Sequence, residues 1–157
     1  MTATFIPVDP FDLVVFGGTG DLAMRKILPG LYQRDLDGQL PAESRIVGAA
    51  RTEIDRDGYV AQAEKALRRF VEPERLHEEK LASFLARLDY LPLDATRESG
   101  WLDLAGKLGD APDRIRVFYL ATAPDSVLMS DVLLWGRRDP VYLSSMTAAA
   151  GLLSAFD

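Results

Sequence analysis

Leu13-Val14-Val15-Phe16-Gly17-Gly18-Thr19-Gly20-Asp21-Leu22-Ala23 joins an apolar run directly to a glycine turn, and the turn opens a helical pattern. A strand–turn–helix of this kind cradles a phosphate. Gly17 lets the chain bend where a side chain would clash. Gly20 lets the backbone approach a pyrophosphate, and Ala23 is small enough for the helix to pack on its strand. The N–H groups at the helix start then face the anion. The spacing is Gly-x-x-Gly-x-x-Ala, not Gly-x-Gly-x-x-Gly, so its position straight after a strand carries much of the weight. The bland alternative is a tight turn with no ligand.

The second strand adds to this. Arg45-Ile46-Val47-Gly48-Ala49-Ala50 reads as a short buried strand, and Arg51 follows it. NAD-binding units place an Asp or Glu here for the ribose hydroxyls, whereas a basic residue suits a 2′-phosphate. Arg offers a planar fork of donors that matches phosphate oxygens. The pair of features points to NADP over NAD. On its own, Arg51 would read as a solvated loop residue.

Whole-chain properties narrow the classes. At 157 residues, with 48% hydrophobic and 27% charged residues, the chain fits one soluble domain with a sizeable core. There is no cysteine, which excludes disulfides, thiolate nucleophiles and zinc–thiolate sites. A formal net charge of -6 argues against nucleic acid as a bulk partner. No apolar stretch is long enough to span a bilayer. Met1 to Pro7 lacks the basic and apolar regions of a signal peptide, so a cytoplasmic protein is expected.

Strand patterns alternate with helical ones. Strands are expected at 12–17, 45–50, 87–92 and 114–120. Helices are expected at 20–37, after an Asp55 cap through Tyr59, Ala63, Ala66, Leu67 and Phe70, from Pro73 to Phe84 or Leu85, and at 97–108 with Trp101, Leu104, Ala105 and Leu108 on one face. Pro29 should bend or break the first helix. The alternation implies an α/β, Rossmann-like parallel sheet with helices on both faces, incomplete at its C-terminal part. The expected division is a dinucleotide-binding domain over 1–125 and a divergent tail over 126–157. Within the tail, Met129–Leu134 allows a helix or strand, and Ser144–Phe156 has some helical spacing.

Residues 17–32, from Gly17-Gly18-Thr19-Gly20-Asp21-Leu22-Ala23-Met24-Arg25-Lys26 to Pro29 and Tyr32, resemble the N-terminal signature of the glucose-6-phosphate dehydrogenase family. Val47–Arg51 resembles its second strand, Phe84–Asp94 its third-strand region, and Arg116–Pro124 its fourth strand and loop. The likeness covers roughly the first four-fifths of the chain in the family's order. It implies NADP as cofactor and hydride transfer from C1 of glucose 6-phosphate, in the oxidative pentose phosphate pathway. It makes Gly17, Gly18, Thr19, Gly20, Asp21, Leu22, Arg51 and Tyr119 cofactor-binding candidates. Lys26 matches a lysine that reaches the sugar phosphate. The full-length family also allows for a homo-oligomer.

The tail departs from the pattern. From about Ser126 the likeness stops, and neither the family's Glu-Lys-Pro nor its Arg-Ile-Asp-His-Tyr motif occurs. The expectation is a truncated or frame-shifted gene that encodes the cofactor side alone, without catalytic residues and inactive by itself. A non-catalytic NADP-binding or regulatory module is the alternative. A short-chain-type reductase is weaker, because no Tyr-x-x-x-Lys pair occurs.

Individual candidates have competing readings. Thr19 either donates to phosphate or caps the helix. Asp21 suits the positive helix end better than an anion. Lys26 is otherwise an exposed helix charge, and Tyr119 otherwise a core tyrosine. His77, the only histidine, lies in a charged stretch and reads as a solvated residue. No His/Asp/Glu cluster has metal-ligand spacing.

Overall fold

The computed structural model describes residues 9–94, 100–109 and 114–121, with the backbone of Val141–Ser144. The apolar run before the glycines forms β1 (Phe11–Phe16), buried at every position. A strand covered on both faces needs such a run. Next come α1 (Leu28–Leu36), β2 (Arg45–Ala50), α2 (Arg56–Phe70), α3 (Glu78–Leu85), β3 (Leu88–Pro92), α4 (Trp101–Leu108), β4 (Ile115–Leu120) and β5 (Val141–Ser144). The four expected strands are present with small shifts at their ends. β5 is an addition that the sequence reading did not assign. The expected boundary at 125/126 and the Met129–Leu134 segment lie outside the described residues. So does the helical spacing of the tail, apart from Ser144, which ends β5.

All pairings are parallel, and the order is β3-β2-β1-β4-β5. The chain steps from β1 to β2 to β3 in one direction, then crosses back to β4. Right-handed crossovers therefore put α1 and α2 on one face and α4 on the other. The cores agree. Leu13, Val15, Ile46 and Tyr90 pack with Tyr32, Tyr59, Leu67 and Phe84 on the first face. Val14, Phe16, Val47 and Phe118 pack with Leu104 and Leu108 on the second. Alternate residues of β1 thus serve opposite cores, as the two-residue period of a strand requires.

Pro29 disturbs the first helix as expected. A widened π turn over Ala23–Ile27 precedes α1, and the Leu28 N–H donates to the carbonyl of Ala23, five residues back. Pro29 has no N–H for the carbonyl of Arg25, and its ring would crowd that oxygen. Asp55 caps α2 as expected, accepting from the Gly58 N–H at 2.8 Å.

The helix expected from Pro73 divides in two. A single 3₁₀ turn (Pro73–Arg75) is followed by extended backbone at Leu76 and His77 before α3 begins. Tyr32 of α1 fills the break. Its hydroxyl donates to the Arg75 carbonyl and accepts from the His77 N–H, both at 3.1 Å.

Asp12 is a fully buried carboxylate in β1. Arg45 of β2 grips it with two bonds of 2.8 and 2.7 Å, and Arg114 adds a third at 2.7 Å. Arg45 also donates to the carbonyls of Lys107 and Leu108, so it closes the C-terminal end of α4.

Candidate functional site

The site is built where β1 ends beside β2. Gly17 has φ +79°, which side chains rarely adopt. Its N–H and that of Gly18 both donate to the carbonyl of Ala49, at 2.8 and 3.2 Å. The glycine turn is thereby fastened to the end of β2. A Cβ on Gly18 would lie 2.7 Å from the Cα of Gly48, so the two backbones touch here. This second glycine serves the packing of the turn on β2, a role that no local pattern discloses.

Gly20 is different. It is exposed, and a Cβ there would meet only the Gly17 carbonyl, at 3.0 Å. Its small size leaves open space above the helix start. The first intrahelical bond runs from the Met24 N–H to the Gly20 carbonyl. The amides of Asp21, Leu22 and Ala23 precede it and have no carbonyl to meet within the helix. These donors, with the helix dipole, favour an anion.

Asp21 stands at this positive end, as expected, and its exposed carboxylate lies 3.4 Å from Arg25 one turn on. Thr19 does not cap the helix. Its hydroxyl meets that of Thr52 at 3.1 Å, on the loop after β2. Arg51 lies in that loop, exposed, and has no hydrogen-bond or ion-pair partner among the described residues. A guanidinium with free donors thus stands on the loop that Thr52 links to the turn.

Lys26 and Tyr119 lie elsewhere. They line a cavity of about 440 Å³ between the first helix and the β1/β4 half of the sheet, together with Leu22, Phe11, Leu31 and Val117. Burial pushes the Tyr119 phenol pKa up, so it is neutral near pH 7. The structure therefore groups Tyr119 with Lys26, and Arg51 does not line this cavity. Leu22 belongs to both places, through its amide and its side chain. His77 is exposed at the head of α3 and belongs to neither. Among the described residues no cluster of three or more His, Asp or Glu is placed to hold a metal. No helix among them is long and apolar enough to cross a membrane.

A family model described as glucose-6-phosphate dehydrogenase, NAD binding domain, matches residues 14–132. The chain belongs to the glucose-6-phosphate dehydrogenase family. Two relatives are named glucose-6-phosphate 1-dehydrogenase. That of Gluconobacter oxydans (strain 621H) is 54% identical over 122 residues, covering 76% of this chain and 25% of the relative. That of Rhizobium meliloti (strain 1021) is 45% identical over 132 residues, covering 84% and 26%. The crystal structure of the Mycobacterium avium enzyme superposes with a TM-score of 0.72 at 26% identity, over 84% of this chain and 29% of that one. The chain thus spans about a quarter of the length of the curated relatives it matches. The glucose-6-phosphate dehydrogenase family and its Rossmann-like parallel fold, both expected from the sequence, are found.

Proposed function

We propose that this chain is the NADP-binding part of a glucose-6-phosphate dehydrogenase, the enzyme that passes a hydride from C1 of glucose 6-phosphate to NADP in the oxidative pentose phosphate pathway. The observation that carries the reading is the pairing at the ends of β1 and β2. The helix-start amides of Asp21 and Leu22 lie beside the exposed Gly20, and the Arg51 guanidinium, which has no partner among the described residues, stands on the adjoining loop.

These residues fit the two phosphate groups of NADP. Gly17, Gly18, Thr19 and Gly20 shape the turn, and the amides behind them suit the pyrophosphate. Arg51 suits the 2′-phosphate, because its forked donors match phosphate oxygens and no carboxylate directly follows β2. Lys26, with its charge at the edge of the cavity that Tyr119 lines, suits the phosphate of glucose 6-phosphate. When bound, NADP supplies the hydride acceptor. Hydride transfer needs cofactor, sugar and a proton acceptor held in reacting geometry. His77 is the one histidine and lies outside both groups of candidate residues, so the chain alone is proposed to bind NADP without turning over sugar.

The test is a titration of the purified chain with NADP and with NAD, followed by an NADPH absorbance assay with glucose 6-phosphate. Tighter binding of NADP and no turnover are expected. Equal affinity for the two cofactors overturns the role of Arg51. Turnover above a blank, retained in His77→Ala, overturns the proposal that the chain alone binds NADP without turning over sugar.

A further inference from the structure

Arg51 sits between two residues whose carbonyls are held by one side chain. The Tyr90 hydroxyl, on β3, faces the Thr52 carbonyl at 2.7 Å and the Ala50 carbonyl at 3.2 Å. A phenol has one proton, so it donates mainly to Thr52 and shares with Ala50. The Leu93 N–H also donates to Ala50, at 2.8 Å. The loop is thus pinned on both sides of Arg51, while the Arg51 side chain itself is exposed.

Tyr90 is well placed to act as a fixed post. It pairs with Gly48 across β2 and β3 and is 3% exposed. Its ring stacks on Tyr59 of α2, with centroids 4.8 Å apart. Tyr59 is fixed in turn, because its ring fills the place that a Cβ on Gly48 would occupy, 2.5 Å away. Burial is the largest influence on the Tyr90 phenol and, with the nearby Glu53 charge, pushes its pKa up on balance, so the donor proton is retained. Thr52 receives a second restraint from the Thr19 hydroxyl. An exposed arginine pays a large entropy on binding, and a loop already held in place lowers that cost.

We propose that Tyr90 is a positioning residue for cofactor choice: by holding the carbonyls on either side of Arg51, it presents that guanidinium to the phosphate that distinguishes NADP from NAD. The inference rests on the proposed role of Arg51 and adds a residue from a different strand to it.

The experiment titrates the full chain and its Tyr90→Phe, Arg51→Ala and double variants with NADP and with NAD. Phe keeps the ring on Tyr59 and removes only the hydroxyl. The Tyr90→Phe variant is expected to weaken NADP binding about three- to tenfold, the value of one lost hydrogen bond. Its NAD affinity should stay within about twofold of the wild type. In the Arg51→Ala background the same change should have no further effect, since the group it positions is gone. Trypsin supplies a second reading that needs no ligand: cleavage after Arg51 should be faster in Tyr90→Phe.

Equal weakening of NADP and NAD by Tyr90→Phe would mean a purely structural role and overturns the proposal. So does an unchanged NADP affinity with unchanged cleavage. If Arg51→Ala itself leaves the NADP preference intact, the role of Arg51 falls and this inference with it. If Arg51→Ala removes the preference while Tyr90→Phe does not alter it, only the inference falls.

Discussion

The hydroxyls of Thr19 and Thr52 meet at 3.1 Å and tie the turn after β1 to the loop after β2. The two carbonyl-bound amides of Gly17 and Gly18 make the same connection through the backbone. The pyrophosphate side and the 2′-phosphate side of the proposed site are therefore one joined unit. Changes on either side should act on the affinity for dinucleotide in different ways.

Arg51→Asp should abolish or reverse the preference for NADP. An arginine–phosphate contact is replaced by a like-charge repulsion, and an acid at this place suits ribose hydroxyls instead. Loss of a charged hydrogen bond corresponds to about tenfold to a hundredfold in NADP affinity. Paired NADP and NAD titrations read this directly.

Three glycines separate ligand effects from folding effects. Gly20→Val should remove dinucleotide binding from a chain that still folds, since the added side chain stands exposed at the helix start and its Cβ meets only the Gly17 carbonyl, at 3.0 Å. Gly18→Ala should destabilise by about 1–3 kcal/mol, because its Cβ collides with the backbone of Gly48 in β2, which cannot easily yield. Gly106→Ala, exposed within α4 where a Cβ meets nothing within 4 Å, should stabilise by about 1 kcal/mol. Urea denaturation and cofactor titration of the three variants check the set. Unchanged NADP affinity in folded Gly20→Val would remove the phosphate-turn assignment.

Asp12 should make the fold sensitive to acid. Burial pushes its pKa up, but the hydrogen bonds from Arg45 and then Arg114, with their charges, outweigh this and hold it below the ordinary carboxylate value. A group with a lowered folded pKa stabilises fully above its unfolded pKa, and that stability is lost as pH falls through the folded one. The loss should begin below about pH 4. Asp12→Ala should cost about 3 kcal/mol near neutral pH, at the low end for a broken buried pair because Arg45 keeps contact with water. Denaturant curves from pH 7 to pH 2 measure both effects. In Asp12→Asn this part of the pH dependence should disappear.

Tyr59→Phe should leave stability unchanged or raise it by up to about 1 kcal/mol. The Tyr59 hydroxyl is buried and has no hydrogen-bond partner among the described residues. Removing an unpaired buried hydroxyl relieves a desolvation cost, and the ring contact with Tyr90 remains. A clear loss in thermal or urea melting would show that the hydroxyl is satisfied in solution.

Residues 13–23 disclose the βα turn because their information is local. An apolar run, glycines at fixed offsets and a small residue on the new helix need no distant partner to be read. The Asp55 cap and the disturbance at Pro29 are local in the same way, each acting within about one turn of helix. Arg51 is legible because it directly follows a clear strand. The alternation of strands and helices further restricts the arrangement to a parallel sheet covered on both faces.

Tertiary structure alone decides the rest. Gly18 owes its requirement to Gly48, thirty residues away. The gap before α3 exists around the hydroxyl of Tyr32 in α1, where helical periodicity runs on without a break. Tyr119 joins Lys26 because β4 lies beside β1 on the face that α1 covers. Tyr90 reaches the carbonyls around Arg51 because β3 sets it opposite Gly48. The sequence by itself determined the first four strands, the glycine turn after the first and the charge that follows the second, since each follows from neighbouring residues. The partners of those groups come from strand register and helix packing, which bring together residues far apart in the chain and so leave no mark in any local pattern.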